Sequence, residues 1–150
     1  MTITYEVDSG LYINVTNRCT NRCEFCIRNN ADGAYGSDSL WLEHEPTVDE
    51  VLTDVFSRDL TKYTELVFCG YGEPTVRLND IRKIALGIKK RYPSIKIRVN
   101  TNGHSDLKLS SRGIGSEAST ASILNPNSTI TGIDSINKSI SVTFSTNSAI

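Results

Sequence analysis

Over the first fifteen positions apolar and polar residues alternate: Ile3, Tyr5 and Val7, then Leu11, Ile13 and Val15 after Asp8-Ser9-Gly10. Period two is the strand period, and the Asp-Ser-Gly break is turn chemistry, so the pattern predicts a hairpin leading into the first core strand. From 27 to 46 no period holds. Asn29, Asn30, Asp32, Gly33 and Gly36 mark a long connection, of the kind that serves as a lid or carries short structure of its own. The period changes at Thr47. Val48, Val51, Leu52, Val55 and Phe56 share one helical face, and Glu50 completes a capping box with Thr47. Leu66, Val67, Phe68 and Cys69 form an unbroken apolar run ended by Gly70, as suits a strand buried on both faces of a parallel sheet. Asn79 is placed to cap a second helix with the stripe Ile81, Ile84, Ala85 and Ile88, stopped by Pro93. Ile95, Ile97 and Val99 alternate up to Asn100-Thr101-Asn102-Gly103. Strand, helix, strand, helix, strand predicts an α/β fold of parallel strands joined by right-handed crossovers.

Beyond about Ser110 the pattern fades. Ser, Thr and Asn supply about half of the remaining residues, a bias that predicts poor order from Ser110 to Thr131. Ser139 to Phe144 alternates β-branched residues and reads as one further strand. The chain thus divides into a core, 1–109, and a tail, 110–150. At 150 residues it suits one domain and is short for a closed eight-stranded barrel of about 250.

A net charge of −1 and a pI near 6.1 exclude the broad basic field that nucleic acid or an anionic membrane would demand. Lys89-Lys90-Arg91 is a solvated run that complements a helix C-terminus. No stretch nears the roughly 18 apolar residues of a membrane span, and no signal-peptide core opens the chain. Four cysteines without an export signal point to the reducing cytoplasm, where clustered cysteines are metal ligands or catalytic groups more often than disulfides.

Three of those cysteines, Cys19, Cys23 and Cys26, lie within eight residues. This spacing can set three thiolates on one face of an iron–sulfur cube and leave the fourth iron without a protein ligand. The rival reading is a zinc-stapled, non-catalytic binding module, with Cys69, His44 or His104 completing a tetrahedron; the second cysteine knuckle usual in such sites is missing from the sequence. Cys69 also reads as a small core residue, His44 and His104 as loop residues, and Trp41 and Leu42 as anchors of the long connection. Gly70-Tyr71-Gly72-Glu73-Pro74 and Asn100-Thr101-Asn102-Gly103 each follow another expected strand. The cysteines and these two motifs therefore share the C-terminal rim of the sheet, where α/β folds bind ligands. Asn100 and Asn102 have a plainer reading as turn formers.

Taken with their contexts, these motifs resemble the radical S-adenosylmethionine superfamily over roughly residues 1–105. The stretch Leu11 to Asn30, with Phe68 to Thr75, is similar more narrowly to TatD-associated radical SAM proteins. The resemblance implies a partial TIM-type βα barrel with helices outside and a chain truncated or altered after about residue 108; an inactive fragment of such an enzyme is the alternative to an active one. It implies that Cys19, Cys23 and Cys26 ligate a 4Fe–4S cluster whose fourth iron is chelated by S-adenosylmethionine. Phe25 would pack near cluster and adenine. The backbone at Tyr71 and Gly72, with Glu73, would engage the methionine amino group, Tyr71 standing in place of the family's first glycine, and Gly70 would join the cofactor site. Asn100 and Asn102 would offer polar contacts to the cofactor, and Ser141 or Thr143 a ribose contact. The implied reaction is reductive cleavage to a 5′-deoxyadenosyl radical that abstracts hydrogen from an unknown substrate, with flavodoxin or ferredoxin as electron donor.

Overall fold

The computed structural model describes residues 1–24 and 26–102, and the backbone of two later strands, 128–134 and 139–144. Strands β1 (Thr4–Val7) and β2 (Gly10–Ile13) form the expected antiparallel hairpin. Val7 pairs with Gly10, which leaves Asp8 and Ser9 to make the turn. Asp8 takes a φ of 52°, a left-handed conformation its short polar side chain tolerates.

Strand β3 (Glu65–Phe68) pairs parallel with β2, and β4 (Lys96–Thr101) parallel with β3. Helix α1 (Val48–Phe56) lies between β2 and β3 in sequence, and α2 (Leu78–Arg91) between β3 and β4. The three parallel strands and two crossover helices match the alternation of periods two and 3.6. Leu66, Val67 and Phe68 are all fully buried, as the unbroken apolar run requires.

Leu11, Ile13, Val15, Leu66, Phe68, Ile97 and Val99 pack against Val51, Val55, Ile81, Ile84 and Ile88 of the helices. Each such side chain contributes roughly 1.5–3 kcal/mol by leaving water, so this layer dominates stability. A smaller cluster of Tyr5, Ala34, Leu40 and Tyr71 pins the long connection, which carries one short 3-10 turn, Ile27–Asn29.

Three expectations need correction. Asn79 is not the cap of α2. A 3-10 turn, Pro74–Arg77, runs directly into the helix, and Arg77 occupies the cap position. Proline at the start of that turn fixes φ and needs no donor, so the chain winds earlier than Asn79. Second, the neighbour of β4 is not the parallel strand that a barrel's next step would supply. Strand β6 (Ser139–Phe144) pairs antiparallel with β4, and β5 (Ser128–Asp134) antiparallel with β6. An antiparallel hairpin needs only a short link, whereas a parallel return needs a crossover. The sheet is therefore mixed, in the order β1-β2-β3-β4-β6-β5. Third, Ser128–Thr131, placed in the poorly ordered span, belongs to β5; alternating Thr and Ile suit a pleated surface. The rest of that span lies outside the described residues. Among the described residues no helix is long and apolar enough to cross a membrane.

Candidate cofactor site at the strand ends

The chain leaving β2 is clamped before it reaches the first cysteine. Asn17 exchanges two hydrogen bonds with Leu42, its Nδ2 donating to the carbonyl at 2.7 Å and its Oδ1 accepting from the backbone N–H at 3.0 Å. Thr16 Oγ1 donates to Glu45 and accepts the Arg18 N–H at 3.0 Å. Arg18 grips Glu45 through Nε and Nη2 at 2.7 and 2.8 Å. That guanidinium, foremost, holds the Glu45 carboxyl below the usual carboxylate range. Arg77 Nη1 donates to both Val15 O at 2.8 Å and Pro46 O at 2.7 Å, while Nε and Nη2 bond Asp80 at 3.0 and 2.7 Å. One buried guanidinium thus ties the end of β2, the approach to α1 and the first turn of α2.

Cys19, Cys23 and Cys26 follow from this base, all free thiols and all half-buried. The Cys26 N–H donates to Cys23 O at 3.1 Å, and Asn29 N–H to Cys26 O at 2.9 Å, so the last two cysteines sit on successive tight turns. Among the described residues no three cysteine, histidine or acidic side chains converge as a ready-made metal cage. Phe25 lies outside the described residues.

The loop after β3 lies directly on the cysteine loop. A Cβ on Gly72 would collide with the carbonyl oxygens of Thr16 and Arg18, and one on Gly70 with the Asn14 side chain. The Glu73 N–H donates to Arg18 O at 2.7 Å. Arg28 Nη1 reaches Asn17 O at 3.5 Å and Tyr71 O at 3.4 Å. The Tyr71 ring turns away to the long connection, donating to Ala31 O and meeting Trp41 edge-on at 5.1 Å between centroids. Trp41 and Leu42 are thus the anchors their apolar character suggests.

Glu73 is 4% exposed and both its carboxylate oxygens accept hydrogen bonds. Oε1 accepts from Thr75 N at 3.1 Å, Thr75 Oγ1 at 2.6 Å and Thr101 Oγ1 at 2.6 Å; Oε2 accepts from Asn102 N at 2.7 Å. A buried carboxylate is tolerated only with such partners. This one joins the β3 loop to the end of β4. Asn102 then turns its side chain to the first cysteine, with Nδ2 3.9 Å from Cys19 Sγ and 3.5 Å from Thr20 Oγ1.

The structure therefore brings together Cys19, Gly72, Glu73 and Asn102. Asn100 belongs to a different group. Its Oδ1 accepts from Arg98 Nη1 at 2.7 Å, and Arg98 pairs with Glu65 through Nη2 at 2.6 Å. Burial pushes the Cys69 thiol up, against hydrogen bonds from Asn100 and Tyr5. Cys69 lies just past β3, its backbone N–H donating to Ile13 O at 3.0 Å. His44 sits before α1 and meets Glu50 Oε1 at 3.2 Å; His104 lies outside the described residues. Ser141, the nominated ribose contact, stands in register with Asn100.

Arg77, Arg28 and Asn17 escaped the sequence reading. Arg77 carried a usable signal: a cation at a helix N-terminus opposes the helix dipole, and such a misfit points to a tertiary role. Asn17 carried none, because its partner lies 25 residues away.

The donor set fits an iron–sulfur cluster in type and number: three unpaired thiols on one loop, with an amide N–H directed at one sulfur. A family model described as the Radical SAM superfamily matches residues 13–111. No curated protein and no solved structure gives a significant match.

Proposed function

We propose that this chain, which belongs to the radical SAM superfamily, uses Cys19, Cys23 and Cys26 to hold a 4Fe–4S cluster whose open iron binds S-adenosylmethionine. When bound, that pair supplies reductive cleavage of the sulfonium to a 5′-deoxyadenosyl radical that takes hydrogen from a substrate. The protein's residues bind and orient. The Tyr71 carbonyl and the Gly72 backbone offer acceptors for the methionine amino group. Glu73 keeps that backbone against the cysteine loop, since its own carboxylate is committed to Thr75, Thr101 and Asn102. Arg77, Asn17 and the Thr16–Arg18–Glu45 knot hold the base of the loop, so the three thiols start from a fixed stem. A low-potential flavodoxin or ferredoxin is the partner such a cluster needs, and the cytoplasm the compartment that keeps its thiols reduced. The closer likeness to TatD-associated members, and a partial barrel with β2, β3 and β4 as its first steps, belong to the same proposal.

The observation that carries this reading is the lacing of three motif loops at one sheet edge, with Glu73 bonded to the β4 end and, through its N–H, to the stem of the cysteine loop. Anaerobic incubation with ferrous iron and sulfide should give a brown, oxygen-sensitive protein. Dithionite and S-adenosylmethionine should then yield 5′-deoxyadenosine. Changing Cys19, Cys23 or Cys26 singly to Ala should abolish iron and sulfide uptake. Stoichiometric zinc with no capacity for iron and sulfide would sink the proposal and leave the stapled binding module.

A further inference from the structure

The end of β4 does more than close the sheet against the cysteine loop. Asn102 is fixed at its backbone, where its N–H donates to the buried Glu73 carboxylate at 2.7 Å. Its side-chain amide points across to the loop after β2, 83 residues earlier, with Nδ2 3.9 Å from Cys19 Sγ. Thr20 Oγ1, on the same loop, lies 3.5 Å from the same nitrogen. A metal-bound thiolate accepts hydrogen bonds and cannot donate them. Once Cys19 ligates iron, the amide can satisfy that sulfur only through Nδ2.

We propose that Asn102 raises the reduction potential of the cluster by donating its side-chain N–H to the Cys19 sulfur, with Glu73 as the brace that holds it there. This rests on the cluster reading above and adds a tuning role to it. The physical basis is electrostatic. Taking up an electron places more negative charge on the cluster and its sulfurs. An N–H dipole aimed at a ligating sulfur stabilises that form more than the oxidised one, and such outer contacts are among the protein's main controls over potential. The brace matters because an amide free to swing would lose most of that bias. Glu73 accepts from Thr75 and Thr101 as well, so the nitrogen it holds belongs to a rigid corner and not to a mobile tip.

The test is a redox titration followed by electron paramagnetic resonance on reconstituted protein, with iron and sulfide content measured on each sample. In Asn102→Ala the reduced-to-oxidised ratio at a fixed solution potential should fall about tenfold, equivalent to ~59 mV for one electron. Asn102→Asp keeps the backbone contact to Glu73 and replaces the N–H by a carboxylate oxygen, so it should lower the potential further. Thr20→Val, which removes the competing acceptor, should leave the potential unchanged or slightly higher. Fully loaded Asn102→Ala with an unmoved or raised potential overturns the proposal, while the cluster reading stands. Loss of cluster uptake in both Asn102 variants overturns it too, because Asn102 is then a structural brace. A wild type that takes up no cluster overturns both readings together.

Discussion

Glycines at the site and in the second helix differ in what surrounds them. Gly72 has no room for a side chain, because the Thr16 and Arg18 carbonyl oxygens occupy the space a Cβ would take. Backbone cannot step aside as a flexible side chain can. Gly72→Ala should therefore cost about 2 kcal/mol, within the usual range for overpacking, and should open the contact between two site loops. Gly87, within α2, faces the Leu52 methyl groups at 3.1 Å. Leu52 is only partly buried, so it can yield, and replacing a helical glycine by alanine gains roughly 0.5–1 kcal/mol. Gly87→Ala should be neutral or stabilising by up to about 0.5 kcal/mol. Urea denaturation of the two variants checks the opposite signs; equal losses would show that Leu52 is as rigid as backbone.

Helix α1 is built as its sequence proposes. Thr47 accepts the Glu50 N–H through Oγ1 at 3.2 Å, and Glu50 Oε2 accepts the Thr47 N–H at 2.7 Å. The backbone hydrogen bond from Thr47 is the largest cause, with the Thr47 hydroxyl and His44 behind it, of a Glu50 carboxyl pushed down from its ordinary 4.5 to about 2. Its folded value lies below its unfolded one. Its contribution is therefore complete above about pH 4.5 and is lost as the pH falls toward 2. Glu50→Gln should be less stable than the wild type at pH 6, and the gap should close between pH 4.5 and 2. A gap that stays constant across acid unfolding curves would assign the cap to Thr47 alone. Helix α2 begins differently: Pro74 and the following turn set its start, and Arg77 sits at its cap with no side-chain capping bond.

Arg77 explains itself only in the whole molecule. Its side chain is 9% exposed and satisfies two carbonyls from separate segments along with Asp80. Lysine carries the charge but not the planar fork, so Arg77→Lys should lose about 2 kcal/mol through unpaired buried acceptors. An unchanged urea midpoint would mean the carbonyls find other donors. The same long-range logic governs what was legible beforehand. The hairpin, the α1 cap, the doubly buried β3 and the three parallel strands were readable because each is written in a local period or a local turn. The rim placement of the cysteines, Gly72, Glu73 and Asn102 followed from that order. Asn79 was misassigned because a proline turn upstream competed with a good capping residue. Asn100 bonds Arg98, two residues before it on the same face of β4, whereas Asn102 lies just past the last strand residue.

By itself the chain's residue order determined the donors: three cysteine sulfurs within eight residues, on the rim of a parallel sheet. Only the folded arrangement decided which neighbours serve them. It turned the Glu73 carboxylate inward as a brace, set Arg77 under the loop stem and aimed Asn102 at Cys19. Periodicity is a property of neighbours along the chain, while these contacts join residues some 28 to 83 positions apart, and such pairings exist only once strands have chosen their partners.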